Sequence, residues 1–460
     1  MPATRALPLL GTVSSSEGFQ RFGVLAVACL GVVLVQCGVA SVFVALPAIA
    51  SQLHASQSQL QWIADAYTVI LASLLFFFGA LGDRYGRRRI LLIGLVVYAS
   101  TSAVAAEAGS PTELIAVRAF MGVGAALIFP VTLTILTTTF PADKRSQASA
   151  VWTVATTTGG LIGFVGAGAC LEFWWWGSLF VLTIVMSGVC LLLAVVFLPT
   201  QEDLRPVRLD PGGAPIATAA VGVLVYATIE APIRGWLGGF TIGAMVVGVI
   251  YAAVFIGFEH LTPVPMLDPK TFAQRSVTAG TLLLIVQFMA IFGFMLLDFQ
   301  YFQYFQYLRG ASALVTGMAA AALIGVGGVI AVPIAHRVNQ TGHLRTGVAL
   351  GTVLSSLGCL VFASLGQHSG YLWIAVSVVL VGAGAGMSSV IGTKAITEGL
   401  PYYKQGVASA LNDTTREFGA ALGVAVPGAI LDSVYRSTIG HTAAYRQLSS
   451  GGAAQVSTLA

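Results

Sequence analysis

Residues Gly79-Ala-Leu-Gly-Asp-Arg-Tyr-Gly-Arg-Arg-Arg-Ile-Leu91 form a short glycine-punctuated turn that sets four arginines, Arg84, Arg87, Arg88 and Arg89, between two long apolar runs. Basic residues in short loops beside apolar segments resist translocation, so this turn is expected on the cytoplasmic face. Every other loop then takes a side by alternation.

The runs on either side are part of a general pattern. Of 460 residues, 57% are hydrophobic and 9% charged, where a soluble domain carries about 25% charged residues. Apolar stretches of about 20 residues, the length that crosses a hydrocarbon core of about 30 Å, recur along nearly the whole chain. Backbone groups in lipid must be satisfied internally, which makes these stretches helices, and the short alternation of a membrane barrel is absent. The expected fold is an all-α, multi-pass membrane protein.

Helices are predicted at 22–45, 60–82, 90–107, 112–139, 148–170, 178–198, 213–231, 239–258, 277–306, 312–335, 346–366, 371–395 and 407–434, thirteen in all. With the N-terminus cytoplasmic, Arg84 to Arg89, Lys144, Arg145, Arg205, Arg208, Lys270, Arg275, Arg337, Arg345 and Lys404 fall on the inner side, against Arg234 and Arg309 outside. The aromatic group Phe173, Trp174, Trp175 and Trp176 reads as a belt at the outer boundary. The triple Phe-Gln-Tyr repeat at 299–307 is either such a belt or a ligand-facing surface. No cleavable signal is expected in residues 1–20, which show no apolar run with a small-residue cleavage site, and the five cysteines, all in apolar runs, are expected to be unpaired.

The chain repeats itself. Pro141, Lys144, Ala148, Ser149, Ala150, Gly159 and Gly163 recur, 260 positions on and without a gap, as Pro401, Lys404, Ala408, Ser409, Ala410, Gly419 and Gly423. Likewise Arg84, Leu91 and Gly94 recur as Arg337, Leu344 and Gly347. The expected organisation is a cytoplasmic tail (1–21), an N-terminal bundle of six helices (22–198), an inserted helix pair with its flanking loops (199–276), a C-terminal bundle (277–434) and an external polar tail (435–460). Two bundles on one plan are the parallel-repeat design of transporters that rock about a central site. The second bundle is one helix short as read, because the counterpart of the sixth helix falls on polar residues 438–458.

Gly79-x-Leu81-x-Asp83-Arg84-x-Gly86-Arg87-Arg88 resembles the loop motif of the major facilitator superfamily. In that reading Gly79 and Gly82 permit close helix contact, Gly86 a left-handed turn, and Asp83 a contact with a helix N-terminus or a neighbouring arginine. Leu114, Arg118, Gly122, Gly124, Ala125 and Ala126 resemble that superfamily's second motif, whose arginine is associated with proton coupling. Gln61 to Tyr67, and Asn412-Asp413-x-x-Arg416-Glu417-x-Gly419, are similar to the fourteen-helix drug:proton antiporter branch, especially its quaternary-ammonium exporters. Two positions depart from that branch. Gly38 stands where its first helix bears an aspartate, and Phe164 replaces the proline of the fifth-helix motif, although Gly159 and Gly163 keep a close-packing pair.

Charged groups at a helix centre cost about 2.5 to 3.5 kcal/mol on insertion scales, so they face a cavity or a partner. Asp65 is a candidate carboxylate for a cationic substrate or proton, or a group reaching for the outer interface. Asp413 and Glu417 lie one turn apart on one helix face and form either a substrate- and proton-binding pair or part of a network neutralised by Arg416. Arg118 either tunes that cycle or sits in a buried ion pair. Trp62, Tyr67 and Trp152 are candidates for a cation-binding surface or for simple packing. Asp298, Glu230 and Asp432 are read as solvated or interfacial near helix ends.

No phosphate-binding loop, metal-ligand cluster or soluble catalytic domain is read, so neither an enzyme nor an ATP-driven pump is expected, nor a cofactor, metal or nucleic-acid partner. The expected function is secondary active transport in the inner membrane, namely proton-coupled efflux of amphipathic or cationic drugs by alternating access. The expected partners are small molecules, protons and the lipid bilayer. Export of an endogenous metabolite or self-made antibiotic is the alternative within the same class, and a non-transporting membrane sensor or degenerate remnant the alternative from another.

Overall fold

The computed structural model describes residues 15–199, 212–262, 265, 267–309, 344–366, 371–401 and 404–440, with helical positions 327, 330, 331, 334, 335, 337 and 338 between them. Twelve α-helices and no strand occur among these residues. They are α1 (Ser15–Leu53), α2 (Gln57–Tyr85), α3 (Arg87–Ala106), α4 (Pro111–Thr139), α5 (Ala142–Phe173) and α6 (Ser178–Phe197). There follow α7 (Gly213–Arg234), α8 (Gly239–Leu261), α9 (Arg275–Arg309), α10 (Leu344–Ala363), α11 (Tyr371–Gly399) and α12 (Gln405–Gly440). Eleven of the described helices are long and apolar enough to cross a membrane. The exception is α12, which carries Asp413, Arg416 and Glu417 within five residues. The expected segment at 312–335 lies outside the described residues apart from the positions named, as do the tails 1–14 and 441–460.

Helices α1 to α6 pack on one another, α1 against α4, α5 and α6, α2 against α4, and α3 against α4 and α6. In the second half α9 packs against α11 and α12, and α10 against α11. The repeated glycines set equivalent contacts in the two halves. A side-chain carbon at Gly159 would lie 2.8 Å from Val33 Cα, and one at Gly163 2.8 Å from the Cys37 carbonyl, both on α1. On α12 the same probe at Gly419 meets the Ile285 carbonyl at 2.6 Å, and at Gly423 the Met289 carbonyl at 2.5 Å, both on α9. Apolar attraction between helices is lost in lipid, so close backbone approach supplies the dispersion contact that holds such pairs. Helix α7 packs on α8 and also on α2 and α12, so the inserted pair touches both halves.

Helix ends differ from the expected ones because an apolar run marks the buried length, not the capped length. Helix α1 begins at Ser15, inside the expected N-terminal tail, and α12 runs through Gly440, inside the expected external tail. Two acids read as solvated are instead buried. Helix α7 continues to Arg234, which draws Glu230 into the packed length, and α9 continues to Arg309, which leaves Asp298 three turns from its end. The side chain of Asp432 lies outside the described residues. Phe173, Trp174 and Trp175 are exposed, while Trp176 turns inward against Phe180 with ring centroids 6.2 Å apart. Of the Phe-Gln-Tyr repeat, Tyr301 alone has a described side chain; its hydroxyl donates to the Gly366 carbonyl at 3.1 Å and its ring meets Phe362.

Gly159→Val should overpack the α1–α5 contact, at a cost of about 1 to 3 kcal/mol, and lower the melting temperature of the purified protein in detergent. Gly160→Val, one residue on with no atom within 4 Å, should leave it unchanged. Equal melting temperatures for the two variants would show that the close approach contributes nothing.

Candidate functional site: the seam between α2 and α12

The two halves are pinned together where α12 begins. Gly86 ends α2 with φ 96° and ψ 124°, a backbone conformation that glycine adopts without steric cost, and so lets α3 start at Arg87. One turn before it, the buried Asp83 accepts from Arg87 Nη2 at 3.1 Å through Oδ1 and from the Gly406 backbone N–H at 2.8 Å through Oδ2. Gly406 is the second residue of α12, where the first-turn N–H groups lack intrahelical partners and the helix dipole is positive. The carboxylate therefore satisfies an orphan donor across the seam. Arg87 Nη1 also donates to Thr138 Oγ1 of α4 at 2.9 Å.

Neighbouring contacts depend on the same approach. A side-chain carbon at Gly79 would lie 2.7 Å from the Gly406 carbonyl. Thr134 Oγ1 of α4 donates to Ser409 Oγ of α12 at 2.9 Å. Lys404 Nζ donates to the Pro265 carbonyl at 2.7 Å; burial holds its pKa below the ordinary lysine range, against the pull of Glu259 and Asp268. Arg84 and Arg89 are exposed, and Arg88 Nη2 donates to the Val195 carbonyl at 2.9 Å.

Arg118 of α4 is almost fully buried in the first half. Its Nε donates to the Ile63 carbonyl at 2.9 Å, Nη1 to the Gly38 carbonyl at 2.9 Å and Nη2 to the Ala64 carbonyl at 3.4 Å. The guanidinium lies over the Tyr67 ring, 4.5 Å from its centroid. The five donors of an arginine fork suit this task, and they tie α4 to α1 and α2 through main-chain oxygens. Gly38 is fixed by its surroundings, since any side chain there would run into the Tyr98 hydroxyl. Tyr98 thus occupies the space that an acid at this position would need. Nothing in the apolar run of α3 marks it in the sequence.

On α12, Gly406, Ala410, Asp413, Glu417 and Ala421 recur at three- and four-residue spacing and share one face. Gly406 and Ala410 meet Gly79, and Ala421 clusters with Ala72 and Val225. That face is turned to α2 and α7. Asp413 is fully buried; Oδ1 accepts from Asn412 Nδ2 at 2.8 Å, and Oδ2 has no hydrogen-bond partner. Glu417 is half-buried one turn on.

Arg416 points elsewhere. Its Nη2 donates to Thr393 Oγ1 at 2.7 Å, and its guanidinium lies 5.2 Å from the Trp152 ring centroid and 5.1 Å from that of Phe288. The Thr393 hydroxyl in turn donates to Asn412 Oδ1 at 2.9 Å. Tyr67 and Trp152 are buried and already carry guanidinium groups of the chain itself, so these two rings act as internal supports for Arg118 and Arg416.

Asp65 is half-buried on α2, with Gln61 one turn earlier as its hydrogen-bonding neighbour and Arg118 and Glu230 as the charges acting on it. Trp62 is half-buried and lies against Tyr226 of α7, ring centroids 5.6 Å apart. The seam therefore brings Asp65, Asp413 and Glu417 onto facing helices of opposite halves. Gly159 and Gly163 lie away from it, in the α1–α5 contact.

Asp83→Ala removes charge-assisted hydrogen bonds of a kind that contributes about 1.5 to 3 kcal/mol, roughly ten- to hundredfold in the balance between joined and parted halves. Spin labels at the exposed Tyr85 and Glu398 should report a larger population at long separation in this variant. An unchanged distance distribution would deny the carboxylate that role.

Residues 28–424 match the family described as Major Facilitator Superfamily. The chain is 31% identical over 447 residues to the multidrug efflux pump LfrA of Mycolicibacterium smegmatis, covering 97% of this chain and 88% of that protein. It is 31% identical over 413 residues to the cephamycin export protein CmcT of Amycolatopsis lactamdurans, covering 87% and 83%. In fold it is similar to the human organic anion transporter MFSD10, with a TM-score of 0.64 over 89% of this chain and 93% of that one at 17% identity. With most of its length matched and its apolar helices packed about a seam between two repeated halves, the chain belongs to the Major Facilitator Superfamily.

Proposed function

We propose that this protein is a secondary exporter of the cell's inner membrane that expels amphipathic, cationic small molecules in exchange for protons by alternating access. The observation that carries this reading is Asp413, fully buried with one carboxylate oxygen unpartnered, on the face of α12 that meets the opposite half. A carboxylate so placed is costly to bury unless it has an exchangeable partner, and a proton or an organic cation supplies one. Asp65 and Glu417 extend the acidic surface along the seam. Arg118 and Arg416, each on an aromatic ring, tie the surrounding helices together and act on the acids as neighbouring positive charges.

In this reading the working parts are a bundle from 22 to 198, a second from 277 to 434, and an inserted pair within 199–276. The arginine turn lies on the cytoplasmic side, so parting of the Asp83–Gly406 contact opens the inner face. One proton moving down about 100 mV supplies about 2.3 kcal/mol, adequate for modest outward gradients. Support comes from the likeness to LfrA, named as a multidrug efflux pump. A second reading, export of an endogenous metabolite or antibiotic, draws on the comparable likeness to CmcT, named as a cephamycin exporter.

In a pump-deficient host the wild-type chain should lower retention of a cationic dye, and a protonophore should abolish the effect. The double variant Asp65→Asn, Glu417→Gln should restore retention to the level of cells lacking the chain, with its melting temperature preserved. Equal retention with the chain present, absent or doubly substituted would rule out drug export through these acids.

A further inference from the structure

At the end of the bundle opposite the arginine turn, α2, α7 and the start of α8 bring Trp62, Tyr226 and Phe240 together beside one carboxylate, an open aromatic cage. Its floor is set by register. A side-chain carbon at Gly222 of α7 would lie 2.6 Å from Ser73 Oγ of α2, and Val225 clusters with Ala72. Continuing up α7 and back down α2 by equal numbers of residues brings Glu230 to the level of Asp65. Glu230 is buried, the Tyr226 ring lies against Trp62 at 5.6 Å, and Tyr226 meets Phe240 of α8 at 6.2 Å with the planes at 75°.

The cage already holds a cation. Arg234, at the end of α7 and half-exposed, is bonded through Nε to Glu230 Oε2, and its guanidinium lies 4.2 Å from the Phe240 ring centroid. A planar delocalised cation thus sits on an aromatic face with a buried carboxylate at its edge, the arrangement that recognises organic cations in general. The occupant is tethered at a helix end and half in solvent, so it can swing out, and its departure leaves Glu230 without its partner.

We infer that this cage is a binding site for planar organic cations at the outer end of the transport path, with Glu230 as its specificity-determining acid and Arg234 as a built-in competitor that the ligand displaces. The inserted pair α7–α8 then contributes a face to the path and is not a peripheral addition. This inference rests on the transport reading for its place in the cycle, but the cage binds whether or not transport follows.

The test uses ethidium, a planar monocation, with the full chain in lipid nanodiscs and fluorescence anisotropy as the readout. Arg234→Gln keeps the stem over Phe240 and removes the competitor, so ethidium should bind several-fold more tightly. Glu230→Gln, which removes a charged hydrogen-bond acceptor, should weaken binding by about tenfold or more. The opposite signs matter, because a pair that merely braces α7 would weaken or leave binding alike in both variants, and either of those results overturns the inference. Absence of ethidium binding by the wild type in nanodiscs overturns it as well. Dye retention in cells is scored separately: opposite-signed binding without any efflux would leave the cage standing and sink the export reading, whereas efflux lost in Asp65→Asn but binding insensitive to Glu230 and Arg234 would do the reverse.

Discussion

The carboxylate of Asp83 is the constraint on which the joined arrangement depends. It lies inside the first half and closes its own turn through Arg87, yet its second oxygen accepts from the first turn of a helix in the other half. A helix N-terminus buried in a protein core needs partners for its free N–H groups, and within a membrane protein water is a poor substitute. The acid and the helix end therefore satisfy each other only when the halves touch.

Around that contact, polar groups inside the apolar shell are used in two ways. Arg118 and Arg416 bridge helices, Arg118 through three main-chain oxygens and the Tyr67 ring, Arg416 through the Thr393 hydroxyl and the rings of Trp152 and Phe288, with its Nε left unpartnered. Asp413 is only half engaged. The contrast lies in what each charge touches: the guanidiniums lie on ring faces and tie helices together, whereas one oxygen of the Asp413 carboxylate has no hydrogen-bond partner.

Much of this was legible in the residues. The spacing Gly79, Asp83, Gly86, Arg87 foretold a turn with an acid near an arginine or a helix end, and the structure has both contacts at once. The glycine pairs at 159 and 163 and at 419 and 423 foretold equivalent close packing in the two halves. Asp298 and Glu230 were misjudged because an apolar run says where lipid or protein can surround a helix, not where the helix stops. Tyr98 was invisible for another reason: its role is to fill the space over Gly38, sixty residues away, and no local pattern encodes such a meeting.

By itself the sequence determined the class of fold, the helical repeat and the residue types available for chemistry, because composition, periodicity and short-range spacing act within a single helix or turn. Which ring carries which guanidinium, which acid is left with a free oxygen and which face of α7 meets α2 were decided by tertiary structure alone. Those outcomes depend on the register of helices brought together from distant parts of the chain, and register is set by backbone approach at a few small residues such as Gly79, Gly222 and Gly406, whose partners no single segment can name.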